Sequence, residues 1–304
     1  MKELAPIVLF VYERIVQTEL MVKTLCENSL ANESDLFIYS DAPRSKKAEK
    51  NVGSVRDFIK TISGFRSVTI IERDSNYGLS RSIIEGVSET IKQYGKVIVI
   101  EDDLVISPFF LKFMNDGLDL YEHDDRAISI HGYVYPVKQT LPSTFFLRGA
   151  DCWGWATWER GWKLFQSNGS ALLDKIYQTK RQNEFDFNGT YPYARMLKEQ
   201  VEGKNDSWAV RWYASAFLEN KFTLYPGTSL VNNISSDTLG THTKSLADFN
   251  SELSKKEITV DLIPIEDSPI ARKAFEDFFR NLSRPSISKL LTFARSLFHP
   301  HVAN

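Results

Sequence analysis

Three consecutive acids, Glu101, Asp102 and Asp103, directly follow the apolar run Val97-Ile98-Val99-Ile100. An unbroken run of this kind reads as a strand buried on both faces. Adjacent like charges repel, and the repulsion grows at the poorly polarisable end of a sheet. A divalent cation would remove it. Carboxylate oxygens suit Mg2+ or Mn2+, ions commonly shared between a few acids and substrate phosphates. The competing reading is a solvated acidic turn capping a helix that opens at Pro108, since proline suits a first helical turn.

Other side chains could serve the same chemistry. Arg14 follows the first apolar run, where a guanidinium could pair with a diphosphate; otherwise it is a surface arginine at a helix start. Asp41, in Ser40-Asp41-Ala42-Pro43, could accept hydrogen bonds from a base or ribose, or simply build a turn. The segment from Arg73 through Gly78 to Arg81 reads as a loop and helix start. Its backbone N–H groups could face an anion, and Arg81 counts with it as a nucleotide contact. His242, in a polar loop, is a candidate ligand for Mn2+ or a surface residue. Asp206 precedes Ser207-Trp208. It could cap the following helix, or act as general base if Trp208 and Trp212 desolvate it.

These residues need a scaffold, and the first half of the chain supplies a repeating one. Apolar runs at Ile7 to Val11, Leu36 to Tyr39, Val68 to Ile71 and Lys96 to Ile100 predict strands. Helical patterns separate them: one around Leu20 and Leu25, one from Lys46 to Ile62 and one from Leu79 to Gln93. Repeated strand-helix-strand units imply an α/β, Rossmann-like, mostly parallel sheet with right-handed crossovers. Ligands bind beyond the carboxyl ends of such strands, where Tyr12-Glu13-Arg14, Ser40-Asp41 and Glu101-Asp102-Asp103 all fall. After Ala127 the pattern is less regular. Ile128 to Ile130, Phe145 to Leu147, Phe222 to Leu224 and Leu230-Val231 predict short strands. Tyr191 to Glu202 and Ser207 to Asn220 predict helices, and an aromatic block runs from Trp153 to Trp162.

The expected organisation is a nucleotide-sugar-binding half over residues 1–126, a catalytic and acceptor-binding half of the same domain over 127–265, and a helical tail over 266–304. With 304 residues and a net charge of −2, the chain can bury a large core but lacks the basic balance of a nucleic-acid binder. Two cysteines, Cys26 and Cys152, define no disulfide framework, and no export signal or membrane-length run is visible, so a cytoplasmic protein is expected. Residues 285–304 carry Ile287, Leu290, Leu291, Phe293 and Leu297 among Lys289 and Arg295. They read as a helix packed on the body, a frayed tail, or a peripheral contact with the inner face of a membrane. No Gly-x-Gly-x-x-Gly follows the first strand, and there is no Walker A loop or Gly-x-Ser-x-Gly elbow.

The order of these motifs resembles GT-A fold glycosyltransferases, in particular N-acetylglucosaminyltransferase I and bacterial surface-polysaccharide transferases. The likeness runs from about Pro6 to about Thr243. Ile100 to Leu104 with Ser107-Pro108-Phe109-Phe110 is similar to the Asp-x-Asp-equivalent segment and its following helix. The resemblance implies that Asp103 ligates the metal, that Glu101 and Asp102 contact sugar and ribose, and that Arg14 and Asp41 contact the nucleotide. Trp153-Gly154-Trp155-Ala156-Thr157-Trp158 resembles an acceptor-side block bordering the donor sugar, which makes Trp155 a donor contact. Asn205-Asp206-Ser207-Trp208 resembles the segment holding the base, Asp206, with Asn205 where the family often has a second acid. Asn232-Asn233 through Gly240-Thr241-His242 resembles a loop closing over the nucleotide, with Asp237-Thr238-Leu239-Gly240 in place of Asp-Gly-x-Gly.

The function so implied is metal-dependent transfer of a sugar, with inversion, from a UDP-sugar to a hydroxyl of a glycan or lipid-linked glycan in surface polysaccharide synthesis. Two alternatives use the same residues: a metal-dependent nucleotidyltransferase, and a non-catalytic glycan-binding protein built on the tryptophan block.

Overall fold

The structure is a computed structural model and describes residues 3–234 and 249–283. In the first half, strands β1 (Ile7–Val11), β2 (Asp35–Ser40), β3 (Ser67–Glu72) and β4 (Lys96–Glu101) alternate with helices α1 (Ile15–Cys26), α2 (Lys46–Ile59) and α3 (Gly78–Tyr94). The helices form where apolar residues recur at helical spacing: Ala48, Val52, Val55 and Ile59 make the buried stripe of α2. Helix α3 stops at Gly95, whose φ of 73° is the left-handed conformation that glycine adopts without strain. Its N–H returns to the carbonyl of Ile91 at 2.8 Å.

The second half adds β5 (Leu104–Ile106), α4 (Phe110–Leu120), β6 (Ala127–His131), β7 (Thr144–Arg148), β8 (Trp155–Trp158), α5 (Glu159–Trp162), α6 (Gly169–Gln178), α7 (Gln182–Phe185), α8 (Tyr193–Val201), α9 (Trp208–Leu218), β9 (Phe222–Pro226), β10 (Val231–Asn233) and α10 (Pro269–Ser283). Eight strands from both halves share one sheet in the order β3-β2-β1-β4-β8-β6-β9-β7. The first four are mutually parallel, and β6 runs parallel to β9. Strand β8 lies antiparallel between β4 and β6, and β7 closes the far edge antiparallel to β9. The chain therefore has the expected α/β architecture, a mostly parallel central sheet flanked by helices.

The sheet separates two apolar layers by the two-residue period of a strand. Ile7, Leu9 and Val11 of β1 join α1, α2 and α4 on one side. Val8 and Phe10 join α3 and a tryptophan group on the other. The Trp155 ring lies 5.6 Å from Trp162, 5.5 Å from Trp208 and 5.8 Å from Trp212, so residues from β8, α5 and α9 share one aromatic core. A third cluster, from Phe145 to Phe279, packs α6 to α10 on the outer strands.

Several boundaries differ from the sequence reading, each for a local reason. The acids are not followed by a helix at Pro108. Glu101 ends β4, β5 comes next and pairs antiparallel with β10, and α4 starts at Phe110 with no side-chain cap. An acidic turn capping that helix is thus not what the triplet forms. The tryptophan block contains a strand because Gly154, at φ 63°, turns the chain where a Cβ would stand 2.7 Å from Val231. Helix α9 is capped by Ser207, whose Oγ accepts from the Val210 N–H at 3.2 Å, and not by Asp206. No helix among the described residues is long and apolar enough to cross a membrane. The tail 285–304 and the loop with His242 lie outside the described residues.

The aromatic core makes a stability prediction. Trp212 is fully buried among three other indole or phenyl partners. Trp212→Ala should destabilise the protein by about 3–5 kcal/mol, read as a lower midpoint in urea unfolding.

Candidate active site

The carboxyl ends of β1, β2 and β4 bound a cavity of about 300 Å³. Parallel pairing of Phe10 with Glu101 sets the two central strand ends level. The Asp102 N–H donates to the Phe10 carbonyl at 3.1 Å, and the Tyr12 N–H donates back to Asp102 Oδ2 at 3.2 Å. Arg14 reaches over from the start of α1. Its Nη1 donates to Asp103 Oδ2 at 2.8 Å and stands 3.9 Å from Asp102 Oδ1. All three acids and Arg14 line the cavity, together with Asp41, Arg44, Asn76, Leu79 and Ser82.

The electrostatics of the triplet are unbalanced. Burial first, then the charges of Asp103 and Asp102, push the Glu101 carboxyl well above the usual carboxylate range, against the pull of Arg14. Burial and then Asp103 push Asp102 up to about 7, although Arg14 and the Tyr12 amide act the other way. One guanidinium does not compensate three acids. Among the described residues no group of three or more His, Cys, Asp or Glu side chains is disposed to hold a metal. The fit is to a hard divalent cation bound by one or two carboxylates and completed by substrate phosphates and water, the usual manner of Mg2+ and similar ions. Asp102 and Asp103 both line the cavity, where an ion could reach them.

Asp41 is 6% exposed, and both its oxygens are occupied. Oδ1 accepts from the Ala42 N–H at 2.9 Å and the Tyr77 N–H at 2.8 Å. Oδ2 accepts from the Gly78 N–H at 2.8 Å and from Asn76 Nδ2 at 3.1 Å. The carboxylate therefore satisfies the leading amides of α3 from a distant turn, at the positive end of the helix dipole. Those amides, expected to face an anion, already do so, and the anion is Asp41.

The remaining expected residues are placed as follows. Arg81 lies on the exposed face of α3, paired with Glu85 at 2.7 Å and stacked on Tyr77, and does not line the cavity. Trp155 is fully buried in the aromatic core, paired with Val99 of β4, which keeps it off the cavity surface. Asp206 has a side chain 77% exposed and pairs with Arg211 at 3.3 Å. The desolvation by Trp208 and Trp212 invoked for it is absent, because both rings turn into the core. Arg211 also donates to Ser80 Oγ at 2.7 Å, which ties the start of α9 to the first turn of α3 beside the cavity. His242 is outside the described residues. Sequence reasoning missed Arg44 and Ser82, and reached Asn76 only as part of the segment from Arg73 to Arg81. Arg44 had a signal, since it directly follows the turn at the β2 carboxyl end.

No family model matches the chain, and no curated protein does. Among solved structures, the chain is similar to a mannosyltransferase, PcManGT from Pyrobaculum calidifontis, in complex with GDP-Man and Mn2+. Identity is 13% and the TM-score 0.33, over 43% of this chain and 35% of that one. It is also similar to S. aureus TarS, at 11% identity and TM-score 0.32 over 49% of this chain and 25% of that one. For TarS residues 1–349 the values are 12%, 0.32, 49% and 41%. The chain thus spans less than half the length of each.

Two measurements check this geometry. Asp102 binds its proton more tightly folded, at about 7, than unfolded, at about 3.9. Between those values the folded state holds more protons, so stability falls as pH rises through that window. In metal-free buffer Tm should decline from about pH 4 to about pH 7 on this account, and Asp102→Asn should flatten the decline. Asp41→Ala should cost about 1–3 kcal/mol by orphaning part-buried amides, with faster hydrogen exchange at Tyr77 and Gly78.

Proposed function

We propose that this chain is a glycosyltransferase that uses a divalent metal and moves a sugar from a nucleoside diphosphate, UDP first among them, to a hydroxyl of a glycan or lipid-linked glycan. The observation that carries the reading is the acid triplet at the β4 end: three carboxylates facing a cavity, two of them held above their ordinary range, with Arg14 as their close ion-pair partner. A site in that state gains most from a ligand that brings positive charge with it, and a metal-bound diphosphate does so.

In this reading Asp103 would hold Mn2+ or Mg2+. The ion supplies charge stabilisation for the departing diphosphate. Arg14 and Arg44 lie on the cavity wall, where guanidinium groups can pair with phosphate oxygens. Glu101 and Asp102 face the sugar and ribose. Arg81 and Trp155 are donor contacts only if binding rearranges the start of α3 and the core behind β4, so they stand behind Arg44 as candidates. Asp206 is the base for the acceptor hydroxyl; Arg211 and Ser80 tie its position to the cavity edge. The acceptor O–H bond gives its proton to Asp206, the oxygen bonds to the anomeric carbon, and the bond to the diphosphate breaks with its electron pair. A single displacement of this kind inverts the anomeric centre.

A thermal-shift screen of UDP-, GDP- and CDP-sugars with and without Mn2+ tests the donor. A ligand binding only the folded state raises Tm with the logarithm of its concentration. The expected result is stabilisation by a UDP-sugar that requires Mn2+. Asp103→Ala should abolish that shift and lower turnover at least about 100-fold while its own melting stays cooperative. Release of pyrophosphate in place of UDP would transfer the reading to a nucleotidyltransferase, and metal-independent sugar binding with no nucleotide effect would make it a glycan-binding protein.

A further inference from the structure

The edge that carries the cavity also carries a group of unpaired cations. Helices α1, α2 and α3 each follow a strand of the parallel set, so all three begin at that edge. Residues 44–50, which lead into and open α2, hold Arg44, Lys46, Lys47 and Lys50 against one acid, Glu49. All four cations are exposed, and none forms an ion pair among the described residues. Cations on other helix surfaces do: Arg81 pairs with Glu85, Lys112 with Asp116 and Lys163 with Glu159.

The position makes this costly. Lys46 and Lys47 are the first two residues of α2, at the positive end of its dipole, where acids are favoured and cations are not. Ser45, the N-cap, makes no side-chain hydrogen bond that would relieve the leading amides. The buried stripe of α2 turns Lys46 and Lys50 to the opposite, outer face. The Arg44 N–H donates to Tyr12 Oη at 2.9 Å, which ties this turn to the approach to α1, and Arg44 itself reaches the cavity wall. Two apolar side chains stand bare at the same edge. Val16, in the first turn of α1, is 68% exposed, and Leu79, in the first turn of α3, is 56% exposed. Unpaired cations beside bare apolar side chains match the two layers of a bilayer interface, anionic headgroups and the acyl boundary beneath them. A nucleic-acid backbone would answer the cations but not Val16 and Leu79, and a net charge of −2 lacks the basic balance of such a binder.

We propose that the start of α2, with Arg44, Lys46, Lys47 and Lys50, is a docking surface for an anionic phospholipid membrane, flanked by Val16 and Leu79 and turning the cavity edge toward the bilayer. Vesicle binding needs neither donor nor turnover, so its failure would leave the sugar-transfer reading standing. The test is co-sedimentation of the full chain with phosphatidylcholine vesicles containing increasing fractions of phosphatidylglycerol. Binding should rise with the anionic fraction and weaken with added salt, which screens surface charge. The triple variant Lys46→Gln, Lys47→Gln, Lys50→Gln should lower the partition coefficient at least about tenfold, each lysine near an anionic surface contributing about fivefold. It should melt no lower than the wild type, because it removes cations from the unfavourable end of a helix. If it does melt lower, Lys46→Gln and Lys50→Gln taken singly should each still weaken binding several-fold. Its Tm response to UDP-sugar and Mn2+ should equal that of the wild type. No phosphatidylglycerol-dependent binding by the wild type, or equal binding by wild type and variants, overturns the surface. So does tighter binding to a short DNA duplex than to the vesicles, lost in the same variant, which would make the patch a nucleic-acid contact. Loss of the UDP-sugar response in the variant with vesicle binding intact would assign the lysines to the donor and overturn it equally.

Discussion

Mutual repulsion among Glu101, Asp102 and Asp103 is the constraint around which the rest of the molecule is arranged. The backbone leaves them no escape: β4 is buried on both faces, its neighbours fix its end, and Asp102 is bonded in both directions to β1. Protonation and Arg14 are the two remedies visible within the chain, and both are partial. Retaining such a group at a sheet end is costly to the fold.

The elements around that point have divided their tasks. Asp41 looks like a ligand residue, but it spends its hydrogen-bonding capacity on the amides that begin α3. This fixes the cavity wall formed by Asn76, Gly78 and Leu79. It also sets a carboxylate against the helix dipole there, while Arg14 and Arg44 supply the guanidinium groups of the cavity wall. Arg211 does comparable work at the start of α9, bonding to Asp206 on its own helix start and to Ser80, 131 residues earlier, on α3. Rigid polar links of this sort hold the site.

Much of the fold could be read from the sequence because β1, β2 and β4 are apolar without interruption, a pattern few other elements produce. The acid triplet, Arg14 and Asp41 were legible for the same reason: each directly follows such a strand. What could not be read depended on contacts distant in sequence. Trp155 looked like a ligand-facing aromatic; only the pairing of β8 with β4 shows that its ring belongs to the core. Asp206 and Ser207 are both good helix caps by type, and one residue of register decides between them.

The ladder between β4 and β8 has a mechanical consequence. It joins the strand carrying the triplet to the strand carrying the tryptophan block by backbone hydrogen bonds, from Lys96 opposite Trp158 to Val99 opposite Trp155. The two halves of the chain cannot swing apart as hinged lobes without tearing that seam and exposing the indole core beneath it. Any large rearrangement must therefore fall to segments that lie outside the sheet, with the framework between them staying still.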